Sequence, residues 1–168
     1  MEFFIGVFFY FLRKEVSMLL RSLRLQMVSE TVEEYRAESG GSEVRIKSSD
    51  DVFRLFSYLS DLPQEEIHAI YLDNQLSLLG TYMVSRGTNI SSAISPADVL
   101  RPALLVNASF IVLVHNHPSG DLDPSQEDLL FTRRVFSACF VFDIQLSDHL
   151  IIAGGKYKSI MNSPGLRV

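Results

Sequence analysis

The chain is 168 residues long with a net charge of −5 and a pI near 5.3, enough for one domain and a short extension. That acidity leaves no broad Lys/Arg field for a phosphate backbone, which argues against general nucleic-acid binding. Apolar residues make up 47% and supply ample core, while a single cysteine, Cys139, excludes an internal disulfide framework and makes a reducing cytoplasm the expected compartment.

The N-terminus packs five Phe and one Tyr into the ten residues Phe3 to Leu12, followed by Arg13 and Lys14. Ten is well short of the ~20 residues that span a bilayer, so no membrane span is expected. A secretory signal carries its positive charge before the apolar run and small residues after it; here the order is reversed. Three readings stay open: an interfacial anchor, an element packed on the body, or translated upstream sequence ahead of a start at Met18 or Met27. The last is the one expected. Between Val16 and Val28 the apolar residues have helical spacing, while Leu23 to Met27 alternates as a strand would, and both readings stand. The stretch 33–42 is polar, ends in Ser39-Gly40-Gly41-Ser42, and reads as a linker. The organisation expected is therefore an extension and linker over 1–47, one domain over 48–162, and a tail over 163–168.

Ser48 and Asp51 form an N-cap pair for a helix over 50–59, with Val52, Phe53, Phe56 and Leu59 on one face and Pro63 stopping it. Strands over 67–72 and 76–85, joined by Asp73-Asn74-Gln75, make a hairpin. Ser85 to Thr88 breaks it before a further short extended piece. Ser95 caps and Pro96 opens a helix to about residue 107, which Pro102 should kink. The run Phe110-Ile111-Val112-Leu113-Val114 is apolar throughout and reads as a strand buried on both faces. A helix over 124–140 follows, with Cys139 in its core face, and a last strand over 143–152.

Chemistry concentrates where the apolar strand ends, at His115-Asn116-His117-Pro118-Ser119-Gly120. If the backbone stays extended, the two histidines point to the same side. In the next helix Asp123 reads as the N-cap, Pro124 as the first helical position, and Gln126 as the residue reaching back. Ser125 and Asp128 are then neighbours on one helix face. Two imidazoles and one carboxylate are a ligand set for a catalytic zinc with an open position for water, whose pKa would drop from ~15.7 to roughly 7. Ferrous iron in a facial triad fits the same set.

This pattern, His115-x-His117-Pro118 with Ser125-x-x-Asp128, seven residues lying between His117 and Ser125, resembles the JAMM motif of the JAB/MPN+ metallopeptidases. The form His-Asn-His-Pro-Ser-Gly with Pro-Ser-x-x-Asp is similar to the RadC-like bacterial branch, over roughly 48–160. The resemblance implies an α/β fold of the cytidine-deaminase-like JAB type, a mixed sheet flanked by helices, with one zinc per chain. It implies hydrolysis of peptide or isopeptide bonds, and for this branch an old association with DNA repair. Ser125 would help stabilise the oxyanion, a contribution of roughly 3 kcal/mol in better-studied hydrolases. A proton-shuttling carboxylate is also needed. In the family it is a Glu at the start of the first hairpin strand, and the register of Ile67 to Asp73 gives that role to Glu65, with Glu66 as the alternative.

Asp148-His149 in the last strand recurs in relatives, and Asp148 is the candidate acceptor for the outer N–H of a zinc-bound histidine, with His149 beside it. A satisfied structural pair is the competing reading. Asn116 and Ser119 read as loop-shaping residues, Asp121 and Asp123 as turn and cap residues, and His68 as an ordinary strand residue. Two other functions compete with the zinc peptidase. One is hydrolysis or deamination of another substrate, although the Pro-Cys-x-x-Cys of zinc deaminases is missing from the sequence. The other is a silent partner-binding module in DNA repair or recombination, although silent relatives typically lose the metal residues. No charged or aromatic cluster outside the motif marks a ubiquitin-like groove, a DNA path or a small-molecule pocket, so the substrate is left unassigned, and the oligomeric state is open as well.

Overall fold

The computed structural model describes residues 44–87, 94–163 and 166. The Phe-rich N-terminus, the segment 16–28, the polar linker and the extended piece expected after the hairpin lie outside them. Chain order is α1 (Ser49–Phe56), a 3-10 turn (Ser57–Asp61), β1 (Glu66–Leu72), β2 (Leu78–Arg86), α2 (Pro96–Leu105), β3 (Phe110–Asn116), α3 (Gln126–Val141), β4 (Gln145–Ala153) and β5 (Lys156–Ser159). The strands form one mixed sheet in the order β2-β1-β3-β4-β5, parallel only between β3 and β4. The α/β class with helices flanking a mixed sheet is thus observed.

Strand alternation divides the core into two layers. Ile67, Ala69, Tyr71, Ile111 and Leu113 pack with Val99 of α2 and with Phe131, Val135 and Cys139 of α3. Ile70, Leu72, Val112, Val114, Leu150 and Ile152 pack on the other face with Val52, Phe56 and Leu59. Continuous apolar runs in β1 and β3 are what a sheet covered on both faces requires.

Local chemistry explains the helix starts. Ser48 and Asp51 make a reciprocal capping box at α1, and Ser95 and Asp98 make another at α2. The expected helix over 50–59 is α1 tightened into the 3-10 turn, and Leu55 joins its buried face while Phe53 stays at the edge. Pro102 falls in the last turn of α2, which ends three residues later.

The folded structure extends beyond expectation in three places. The body starts earlier than residue 48, because the Leu78 amide donates to the Val44 carbonyl at 2.8 Å and the Ile46 amide to the Leu76 carbonyl at 3.0 Å, with Val44 and Ile46 buried. Leu166, in the expected tail, packs under Ile151 and Ile160. The strand β5 was not anticipated. Gly154 and Gly155 both have positive φ, 54° and 69°, the geometry of a two-residue hairpin turn, so the Gly-Gly pair was its signal.

Candidate metal centre

Within β3, Ile111 and Leu113 face the α3 layer, so His115, next in that alternation, faces it too. Beyond the strand, His117 remains tied to the sheet through its amide, which donates to the Ile152 carbonyl at 3.0 Å. The Gly120 amide donates back to the His117 carbonyl, and Gly120 at φ 85° turns the chain toward α3.

The start of α3 corrects the sequence reading. Its N-cap is Ser125, and Asp123 and Pro124 lie outside the helix. The Asp128 amide donates to Ser125 Oγ at 3.0 Å, while the Ser125 amide and hydroxyl each donate to Asp128 Oδ2 at 2.7 Å. An ionised acceptor at the third position makes a stronger box than Asp123 with Gln126 could. Asp123 instead pairs with Lys158 across the surface.

Four side chains converge there. Ligand atoms of Glu65, His115, His117 and Asp128 all lie within 4.8 Å of one another. The two Nε2 atoms are 3.0 Å apart, Asp128 Oδ1 is 3.5 Å from His115 Nε2, and Oδ2 is 3.4 Å from His117 Nε2. A tetrahedral ion with bonds of roughly 2.0–2.1 Å, as for zinc, requires its ligands to be roughly 3.3 Å apart. The donor chemistry fits as well. His117 Nδ1 lies 2.8 Å from the Asp121 carbonyl, which can only accept, so the neutral ring turns a bare Nε2 inward. This group could hold a metal.

The adjacent acids Glu65 and Glu66 part company at the start of β1. Glu65 falls on the α3 side with His115. Glu66 turns to the other side, buried, where its carboxylate takes His68 Nε2 at 2.8 Å and Arg86 Nε at 2.6 Å. His68, read as an ordinary strand residue, is therefore part of a buried polar cluster with Phe56 against its ring. Asn116 holds both peptides flanking Glu65. Its Oδ1 accepts from the Glu66 amide at 2.8 Å and its Nδ2 donates to the Gln64 carbonyl at 3.0 Å.

The Asp148-His149 pair is also split between the two faces. Ile111 pairs with Leu146 but Val112 with Asp148, so Ser147 is an extra residue in β4. That bulge turns Asp148 to the α1 side, where it accepts from Ser49 Oγ at 2.9 Å and Ser159 Oγ at 2.6 Å. His115 Nδ1 meets His149 Nε2 instead, at 2.8 Å, and His149 Nδ1 meets Thr132 Oγ1 at 2.7 Å. The expected partnership of Asp148 with a ligand histidine is not the one the fold makes.

The family model for the RadC-like JAB domain matches residues 46–166 of this chain. This chain belongs to the RadC-like JAB family. It is 33% identical to a UPF0758 protein of Carboxydothermus hydrogenoformans over 83% of its own length and 62% of that protein's. Against a UPF0758 protein of Thermotoga maritima it is 38% identical, covering 68% of this chain and 52% of the relative. A Bordetella petrii relative, UPF0758 protein Bpet3149, is 43% identical over 57% and 43% respectively. The chain therefore spans 43% to 62% of the length of these relatives.

Electrostatics in this RadC-like JAB site follow from burial and proximity. Burial alone would raise the Asp128 carboxyl, but bonds from His115, His117 and Ser125 hold it well below the usual carboxylate range. Asp128 in turn raises His117. Complete burial lowers His115 and lowers His149 further. Glu65 is raised, by burial first and by the Asp128 charge as well. Sequence reasoning missed Thr132, and it gave Asn116 only a loop-shaping role. The signal for Asn116 was a polar side chain between two histidines at a buried strand end. Among the described residues no helix is long and apolar enough to cross a membrane.

Proposed function

We propose that this chain is a zinc-dependent hydrolase of amide bonds, peptide or isopeptide. His115, His117 and Asp128 hold the metal, and Glu65 serves as proton acceptor and donor. The observation that carries this reading is the mutual spacing of the three ligand atoms, 3.0, 3.4 and 3.5 Å, with the Glu65 carboxylate beside them. A bound zinc would supply Lewis acidity and a water acidified to a pKa of roughly 7.

The protein's own contribution can be assigned residue by residue. Glu65 is partly buried, and that burial raises its carboxyl above the ordinary glutamate value, a direction that suits a group that takes a proton and returns it to the departing amine. Asn116 fixes the peptides on either side of it. Ser125 orients Asp128, and it becomes an oxyanion donor once its hydroxyl turns away from Oδ2.

A peptide-library cleavage screen tests this, run on the zinc-loaded chain and on Glu65→Gln alongside metal analysis. About one zinc per chain in both proteins, with cleavage by the wild type alone, is the expected result. Full cleavage by Glu65→Gln, or the absence of stoichiometric zinc, overturns the reading.

A further inference from the structure

The side chain behind His115 belongs to a run of hydrogen bonds whose directions are forced from one end. That end is the main-chain carbonyl of Asp128, which can only accept. Thr132 Oγ1 lies 2.6 Å from it, one helical turn on, and donates its only proton there. With its proton committed, Oγ1 can only accept from His149 Nδ1 at 2.7 Å, so Nδ1 carries hydrogen. The His149 ring is 0% exposed between β4 and α3, with a hydroxyl on one nitrogen and another imidazole on the other, so the site accommodates the uncharged ring and Nε2 is left bare. A bare Nε2 accepts, so His115 Nδ1 must be the donor across the 2.8 Å contact. A neutral His115 then has its lone pair on Nε2, the atom facing His117 and Asp128.

We propose that Thr132 and His149 are positioning residues that fix His115 as the Nδ1-protonated tautomer, so that its Nε2 is presented bare to the metal. The inference rests on the zinc reading of the cluster and adds the mechanism by which one ligand is kept competent. Asp128 thus acts twice, through its carboxylate as a ligand and through its carbonyl as the origin of the chain. Without the threonine hydroxyl, His149 is free to place its proton on Nε2. His115 would then have to accept at Nδ1 and protonate the nitrogen the metal needs.

The test has two parts. Nitrogen-15 NMR of the metal-free wild type reads the tautomers of His115 and His149 directly and needs no variant. Both rings protonated on Nδ1 is the expected result, and a proton on His115 Nε2 overturns the proposal. Zinc affinity by chelator competition is then compared for wild type, Thr132→Val and Thr132→Ser. The valine form should bind on the order of 10- to 100-fold more weakly, and the serine form should recover to within a few-fold of wild type. Unchanged affinity in Thr132→Val overturns the proposal, as does equal loss in Thr132→Ser. If the wild type binds no zinc, the proposed function falls, while the tautomer of His115 is still read in the same protein.

Discussion

Ser125 and Asp128 cap one another, with the Asp128 amide on the serine hydroxyl and the serine amide and hydroxyl on a single carboxylate oxygen. The helix cap and the proposed metal ligand are therefore one structure. Ser125→Ala should lower the stability of the metal-free protein by about 1 kcal/mol in urea denaturation. The same change should weaken zinc on the order of 10-fold, because the carboxylate loses one of its two tethers. Asp128→Ala, by contrast, should release the metal outright. Unaltered stability in Ser125→Ala would show that Asp128 alone holds the helix start.

Asn116 gives a second prediction. Asn116→Ala leaves the Glu66 amide and the Gln64 carbonyl without their partner, a cost of roughly 2–3 kcal/mol. Zinc should still bind, since no ligand is removed, while kcat for any substrate found in the screen should fall more than KM rises. A variant that matches wild-type kcat would mean Glu65 is positioned by its own strand alone.

Glu66 supplies a pH prediction. Burial works to raise its carboxyl, but bonds from His68 and Arg86 hold it below the ordinary glutamate value. A depressed folded-state pKa means that the contribution is fully present above the unfolded value of about 4.3 and fades as pH falls through the folded one. Glu66→Gln should cost roughly 2–3 kcal/mol near neutrality, and the gap to wild type should narrow as pH drops below about 4. Denaturation curves at pH 7 and pH 3.5 check this. A gap that stays constant would remove the charge from the explanation.

Much of the fold could be read from residue patterns because the patterns were local. The apolar run of β3 required a sheet covered on both faces, and Ser48-x-x-Asp51 and Ser95-Pro96 marked two helix starts. Glu65 and Glu66 were separable in principle by strand alternation alone. At α3 two capping pairs compete within three residues, and the pattern read alone favours Asp123 over the Ser125 that the structure uses. The better box used an acid that also faces the histidines, and that acid was counted only as a ligand.

By itself the sequence determined the candidate residues, His115, His117, Asp128 and an upstream glutamate, and the α/β layering that brings them together. Those choices rest on side-chain type, alternation and short spacing, which act over a few residues. Only the tertiary structure decided between Asp148 and His149. The one-residue bulge at Ser147 shifts the alternation of β4 against β3, and a slip of one position exchanges the two faces of a strand. The place of Thr132 was decided the same way, since the helix, the bulged strand and the histidine it serves meet only once the layers have packed.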